Sequence, residues 1–348
     1  PAVSPRALGA MEAELRRRAG DIVDDALARG ECDLLVDLAA ELPLQAIAAL
    51  LGVPQEDRHA LLGWANATLD YDDRDLGAET TRTQEAAAAM AAYATARIAE
   101  VRRAPGEDML SAFVAGAPGT VETTELEQQM FFSLLVAAGS ETTRNSIAVG
   151  LLELAANPEQ WRAVAEDPTL RPAAVEEMLR WASSTSYNRR TAAIDTEVGG
   201  VRIAAGEKVT LWWSSANRDE AEFPDPFTFD VARSPNRHLA FGHGAHFCLG
   251  AGLARLEMRL VLDAVLERVG AIERVGRERR DPEVGQLLDR RPAPGAVPAG
   301  DGRVSLARGD SQVSISGDDS LVLRRQVRRL PDRYDEVLTL EDGMIEYL

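Results

Sequence analysis

Three of the four histidines of this 348-residue chain crowd around one of its two cysteines. His238, His243 and His246 share the segment RHLAFGHGAHFCLG, residues 237–250, with Cys248. The thiolate is the form in which cysteine ligates a metal. Residues from about Gly250 to Val269 carry helical periodicity, so Cys248 falls just before a helix N-terminus, where the dipole and unpaired N–H groups favour an anion. Gly242, Gly244 and Gly250 suit a tight turn whose amides can face the sulfur and which lets a large flat group approach. A thiolate-ligated haem needs that arrangement, because hydrogen bonds to the sulfur tune the iron. Two other readings fit the same residues: a structural cysteine beside incidental histidines, and a zinc site of His238, His243, His246 and Cys248. No Cys-x-x-Cys knuckle accompanies the cluster in support of zinc.

Two further groups of candidate residues fall on predicted helices. A segment from about Glu122 to Ala156 is acidic at its start and apolar through its centre, and reads as one long, mostly buried helix. Within it, Ala138-Gly139-Ser140-Glu141-Thr142-Thr143 is a poor helical choice. Threonine hydroxyls there can bond the carbonyl one turn back and bend the helix; the plain alternative is a kinked core helix. Glu177 and Arg180 stand three apart on another predicted helix, which permits an ion pair. Most such pairs are solvated.

Elements that position these residues follow from pattern. From Arg6 to about Arg103 apolar residues recur at three-and-four spacing, with breaks at Arg29-Gly30, Leu51 to Pro54 and Asp70 to Gly77, predicting four helices. A hinge at Ala115 to Thr120 precedes the long helix. Residues 190–213 alternate and carry turn signals, predicting a small antiparallel sheet. Residues 214–247 are dense in Pro, Asn, Asp and Gly and predict a long ordered meander. Beyond Ala271 the chain reads as a tail with short hairpins over 302–323 and 336–348.

Composition narrows the function. The chain is 45% hydrophobic and 27% charged, enough for a sizeable core. Lys and Arg number 38 against 56 Asp and Glu, a formal charge of −18 that repels nucleic acid and anionic lipid. No apolar run approaches the ~20 residues of a membrane span. Two cysteines are too few for a secreted disulfide framework, which predicts a cytoplasmic protein.

The segment with Phe241, Gly244, His246, Cys248 and Gly250 resembles the haem-binding loop of the cytochromes P450, Phe-x-x-Gly-x-His-x-Cys-x-Gly. The resemblance implies a mainly α fold, P450-like, with a small antiparallel β-sheet region. It implies haem b with Cys248 as axial ligand to iron, and Phe241, Gly242, Gly244, Gly250, Ala138 and Gly139 around the cofactor. Arg190 and His246 would anchor propionates by charge-assisted hydrogen bonds. Glu141 and Thr142 match the family's acid-threonine pair, associated with oxygen binding and proton delivery. Glu177 and Arg180, completed by Arg233, match a structural lock that pins the meander.

The implied activity is monooxygenation: one oxygen atom from O2 enters a C–H bond of a lipophilic substrate such as a terpenoid, sterol or other lipid. Electrons would come from NAD(P)H through a ferredoxin or flavodoxin-like partner, docking near Arg237, Arg255 and Arg259. Leu134, Val136, Ala137 and Tyr187 are candidates to line the substrate cavity. Residue 1 is Pro, and the likeness covers residues 1–270 as a P450-like domain lacking its front part, with 271–348 a divergent tail. Such a chain also admits a haemless fragment or pseudoenzyme as an alternative, beside the Cys/His metal module.

Overall fold

The computed structural model describes residues 3–69, 81–116, 122–274 and 303–308. Ser4 caps α1 (Pro5–Arg29), its hydroxyl accepting from the Ala7 N–H, and Pro5 starts the helix where a missing N–H costs nothing. Gly30 ends it at φ +77°, a backbone that a side chain would strain. A three-residue strand β1 (Glu31–Asp33) leads into a π-helical turn at Leu34–Ala39. Asp33 caps that turn, accepting from the N–H groups of Leu35 and Val36. Helices α2 (Glu41–Leu50), α3 (Arg58–Leu69), α4 (Thr81–Arg103) and α5 (Met109–Ala115) follow. The expected breaks at 30 and 51–54 coincide with helix ends. Those expected at 70–77, and most of the hinge at 115–120, lie outside the described residues.

α6 (Glu125–Ala156) is the central element, opened by a capping box in which Thr124 and Glu127 satisfy each other's backbone N–H. Its second half is a core helix: Ile147, Leu151 and Leu154 are fully buried in a cluster shared with α1 and with two later helices, α8 (Arg171–Ala182) and α10 (Ala251–Arg268). Gly150 lets α8 approach, since a Cβ there would meet the Met178 side chain at 2.3 Å. Its first half departs from the expectation of a mostly buried helix. Phe132 and Val136 pack against Ile47, Leu51, Ile98 and Leu110, but Leu126, Met130 and Leu134 stand exposed, four residues apart on the opposite stripe. Apolar residues on both sides of a helix look alike in a sequence, whether or not each side has a neighbour.

α7 (Pro158–Glu166) and α8 (Arg171–Ala182) lead to the sheet region. There β2 (Asn188–Thr191) pairs antiparallel with β5 (Lys208–Leu211), and β3 (Thr196–Val198) with β4 (Val201–Ile203). A one-turn α9 (Trp213–Ala216) starts the meander, which runs to the cysteine loop and α10 (Ala251–Arg268). α10 lies along α1, where Glu12 accepts from Arg259 and Asp263 receives both Arg16 and Arg171. The fold is thus mainly helical with small antiparallel sheets.

A further strand, β6 (Val269–Arg274), follows directly on α10. It pairs with β7 (Arg303–Arg308), which pairs in turn with β1. The rest of the expected hairpins, at 309–323 and 336–348, lie outside the described residues.

Candidate active site

Two successive turns shape the cysteine loop. The Gly242 N–H donates to the Leu239 carbonyl at 2.9 Å, and the Phe247 N–H to the Gly244 carbonyl at 3.0 Å. Gly242 and Gly244 stand at φ +69° and +74°, so both require glycine. The Cys248 N–H closes the loop on the Phe241 carbonyl at 3.0 Å. Cys248 is exposed at the tip, flanked by Phe247 and Leu249 with more than half their surfaces open. The helix-terminus argument predicts a favoured thiolate, but desolvation by neighbouring atoms pushes the thiol upward. An N–H from Gly250 and the Arg255 charge pull the other way without overcoming it.

The histidines do not converge. The His238 ring is buried and meets Glu176, whereas His243 and His246 are exposed. Among the described residues no three His, Cys, Asp or Glu side chains gather as metal ligands, which removes the support for a zinc cluster.

The charged lock assembles around Glu177, which is wholly buried. Arg180 grips it with two hydrogen bonds of 2.7 Å, and Arg233 reaches both carboxylate oxygens at 3.2 and 3.3 Å. The Asp230 N–H and the Asn236 amide also donate to it. The two arginines then bond meander carbonyls, Arg180 those of Asn217, Pro226 and Thr228, and Arg233 those of Pro224, Asp225 and Thr228. A segment with little regular structure so acquires fixed partners for its backbone.

On α6, Thr142 donates to the Ala138 carbonyl at 2.9 Å, and Ser140 to that of Val136 at 2.7 Å. Ser146 donates to the Thr142 carbonyl. Three hydroxyls within seven residues thus bond one turn back. Glu141 is partly exposed, with Arg144 at 3.7 Å. A Cβ on Gly139 would crowd Ile47 at 2.9 Å. Arg190 is partly buried on β2 opposite Val209, and its guanidinium donates to the Arg189 carbonyl.

Several expectations change. Arg255 and Arg259, read as docking charges, are bound to Glu176 and Glu12, and Arg237, 75% exposed, has Glu222 at 3.8 Å. Of the cavity candidates, Val136 is core, Ala137 packs partly against the same cluster, and Leu134 and Tyr187 are exposed, Tyr187 against the Trp212 ring. Asn217 belongs to Ala216-Asn217-Arg218-Asp219, a stretch that resembles the family's after its sheet, but its bonding role does not show in the sequence. It is fully buried, donates to Ser183 and accepts the Leu239 N–H at 2.6 Å, at the start of the cysteine loop. A buried Asn in a loop rich in polar residues carries no mark in a single sequence.

A family model described as Cytochrome P450 matches residues 14–292, and the chain belongs to the cytochrome P450 family. Over 275 residues it is 43% identical to the Putative cytochrome P450 126 of Mycobacterium tuberculosis, covering 78% of this chain and 66% of that protein. It is also 43% identical over 267 residues to a Methyl-branched lipid omega-hydroxylase of Mycobacterium bovis, 75% of this chain and 62% of the relative. The chain therefore spans less than two thirds of the length of these relatives. The Mycobacterium marinum cytochrome P450 CYP268A2, solved in complex with pseudoionone, superposes with a TM-score of 0.73 at 35% identity, over 78% of this chain and 67% of that one.

The family implies haem iron held by a cysteine thiolate, and the loop suits one. Its sulfur is exposed, receives an N–H from Gly250, and stands between two open apolar side chains on a turn where glycines leave the approach clear. Among the described residues no helix is long and apolar enough to cross a membrane.

Proposed function

We propose that the protein of which this chain is part is a haem-thiolate monooxygenase acting on a lipophilic small molecule, with Cys248 as the residue that would supply the thiolate. The observation that carries the reading is the Cys248 loop, whose exposed sulfur on a two-glycine turn is built to bind something flat from outside. Bound haem would supply the oxygen-activating chemistry, which the side chains alone lack. Cys248 would hold the iron through its sulfur, with the Gly250 N–H moderating the charge there. Arg190 and His246 would bind the propionates, and Phe241, Gly242, Gly244, Gly250, Ala138 and Gly139 would surround the cofactor.

Thr142 presents a hydroxyl, and Glu141 beside it is open enough to exchange protons with solvent and pass them along α6. Glu177, Arg180 and Arg233 hold the meander and have no part in proton transfer. A lipid-like substrate fits the names of the relatives and the open apolar stripe of Leu126, Met130 and Leu134. Electrons would arrive from a ferredoxin or flavodoxin-like protein. A cytoplasmic location suits that supply.

The test is the absorption spectrum of the chain supplied with haem, reduced, with and without carbon monoxide. A red-shifted Soret band that disappears in Cys248→Ala and persists in Thr142→Ala is the expected result. Haem uptake with an unshifted band overturns the thiolate assignment. No uptake at all favours the haemless reading of this chain.

A further inference from the structure

Two adjacent glutamates of α8 face different partners, as neighbours about 100° apart on a helix must. Glu177 points into the meander. Glu176 points the other way and takes two hydrogen-bond donors, one from the cysteine loop and one from the helix after it. Arg255 meets it fork to fork, Nε to Oε1 at 2.6 Å and a terminal nitrogen to Oε2 at 2.8 Å. The His238 ring joins Oε2 at 3.0 Å through Nε2. Its Nδ1 accepts the Ala240 N–H at 3.2 Å, so the proton of the ring sits on Nε2 and is donated to Glu176.

These groups enclose Phe241. The Arg255 guanidinium lies 4.5 Å from the centroid of its ring, His238 stands 5.9 Å from it, and Phe247 lies 6.2 Å away on the loop tip. The Phe241 carbonyl is the acceptor for the Cys248 N–H. Whatever fixes Phe241 therefore fixes the backbone that presents the sulfur.

We propose that Glu176, His238 and Arg255 form a clamp, distinct from the Glu177 lock, that grips Phe241 and so positions Cys248. The three are positioning residues that act through Phe241. The clamp uses the features that make a guanidinium more than a point charge: a planar fork for a carboxylate and a flat face for a ring. It also accounts for Glu176 being held ionised, its carboxyl lying at about 2 because hydrogen bonds from Arg255 and His238 outweigh the opposing effect of burial. Bonding Arg255 in this way removes it from the pool of charges open to a partner protein.

The inference rests on Cys248 being the presented ligand, but its test needs no haem. Amide hydrogen exchange of the full chain, followed by peptide mass spectrometry, reads the loop directly. With the charge-assisted bonds removed by Arg255→Gln or Glu176→Gln, exchange over residues 238–250 should quicken about tenfold or more, while α8 and residues 224–233 keep their rates. Arg255→Lys retains the charge without the fork or the flat face and should recover less than half of the logarithmic protection.

Phe241→Leu should loosen the loop by a similar factor, and adding Arg255→Gln to it should add little, because the two act through one contact. Unchanged exchange over 238–250, full recovery by lysine, or equal acceleration throughout the chain would each overturn the clamp. A normal exchange response in a chain that shows no thiolate spectrum would instead overturn the haem-ligand reading and leave the clamp standing.

Discussion

Replacing Glu177 by Gln tests the lock at its centre. The carboxylate is wholly buried and accepts from two guanidinium groups, one backbone N–H and one side-chain amide. Glutamine keeps the volume but withdraws the charge and turns an NH2 toward two buried cations. Removing one partner of a buried ion pair costs about 3–5 kcal/mol, far more than the ~0.2–1 kcal/mol of an exposed pair. Two arginines share this partner, which places the loss toward the upper figure. At roughly 2 °C per kcal/mol for a chain of this size, the melting temperature should fall by about 6–10 °C. Urea unfolding with an unchanged m-value would give the free energy, and calorimetry the temperature. A loss below about 1 kcal/mol would refute the reasoning, since it would mean that the lock behaves like a surface pair.

Two further outcomes are expected. Glu257 is completely buried on α10 with one oxygen lacking a hydrogen-bond partner, and burial pushes its carboxyl well above the ordinary 4.5. The unfolded chain releases this proton first, so stability falls with rising pH from about 4.5 toward the folded-state value, by about 1.4 kcal/mol per unit. Glu257→Gln should abolish that component, gaining on the parent between pH 5 and 8 in urea melts; parallel pH profiles would contradict it. Gly150→Ala places a Cβ against Met178 Cβ, Cγ and Cε at 2.3–2.8 Å, and should cost about 1–3 kcal/mol, partly recovered when Met178 is also shortened to Ala. A neutral Gly150→Ala in the same melts would show that α6 and α8 have room to part.

What could be read in the sequence was whatever is local. The Cys248 loop is contiguous, its glycines mark its turns, and α6 announces itself through its acidic start and apolar length. Glu177 and Arg180 share a turn of helix, while Arg233, more than fifty residues on, could be joined to them only through family resemblance. The Glu176 clamp was invisible because His238 and Arg255 lie 62 and 79 residues from Glu176 in sequence and a lone Glu-His or Glu-Arg pair has no pattern. The role of Asn217 could not be read because its partners are distant in the chain. The open stripe of Leu126, Met130 and Leu134 falls in a segment that reads as a mostly buried helix, because periodicity reports the apolarity of a face and not what covers it. The π-helical turn at Leu34–Ala39 hides in a run that any helix would accept.

The pairing of β1 with β7 has a consequence during synthesis. Glu31 lies opposite Ser305, so a ribosome working at roughly 5–20 residues per second makes β1 about 15–55 seconds before its partner. Through that interval a strand edge is open to the wrong neighbour. The nascent segment is not left slack. Asp33 caps the following turn, and Asp37 folds back to accept the Asp33 N–H at 2.7 Å, so short-range bonds can hold the residues around the strand while its partner is still being made.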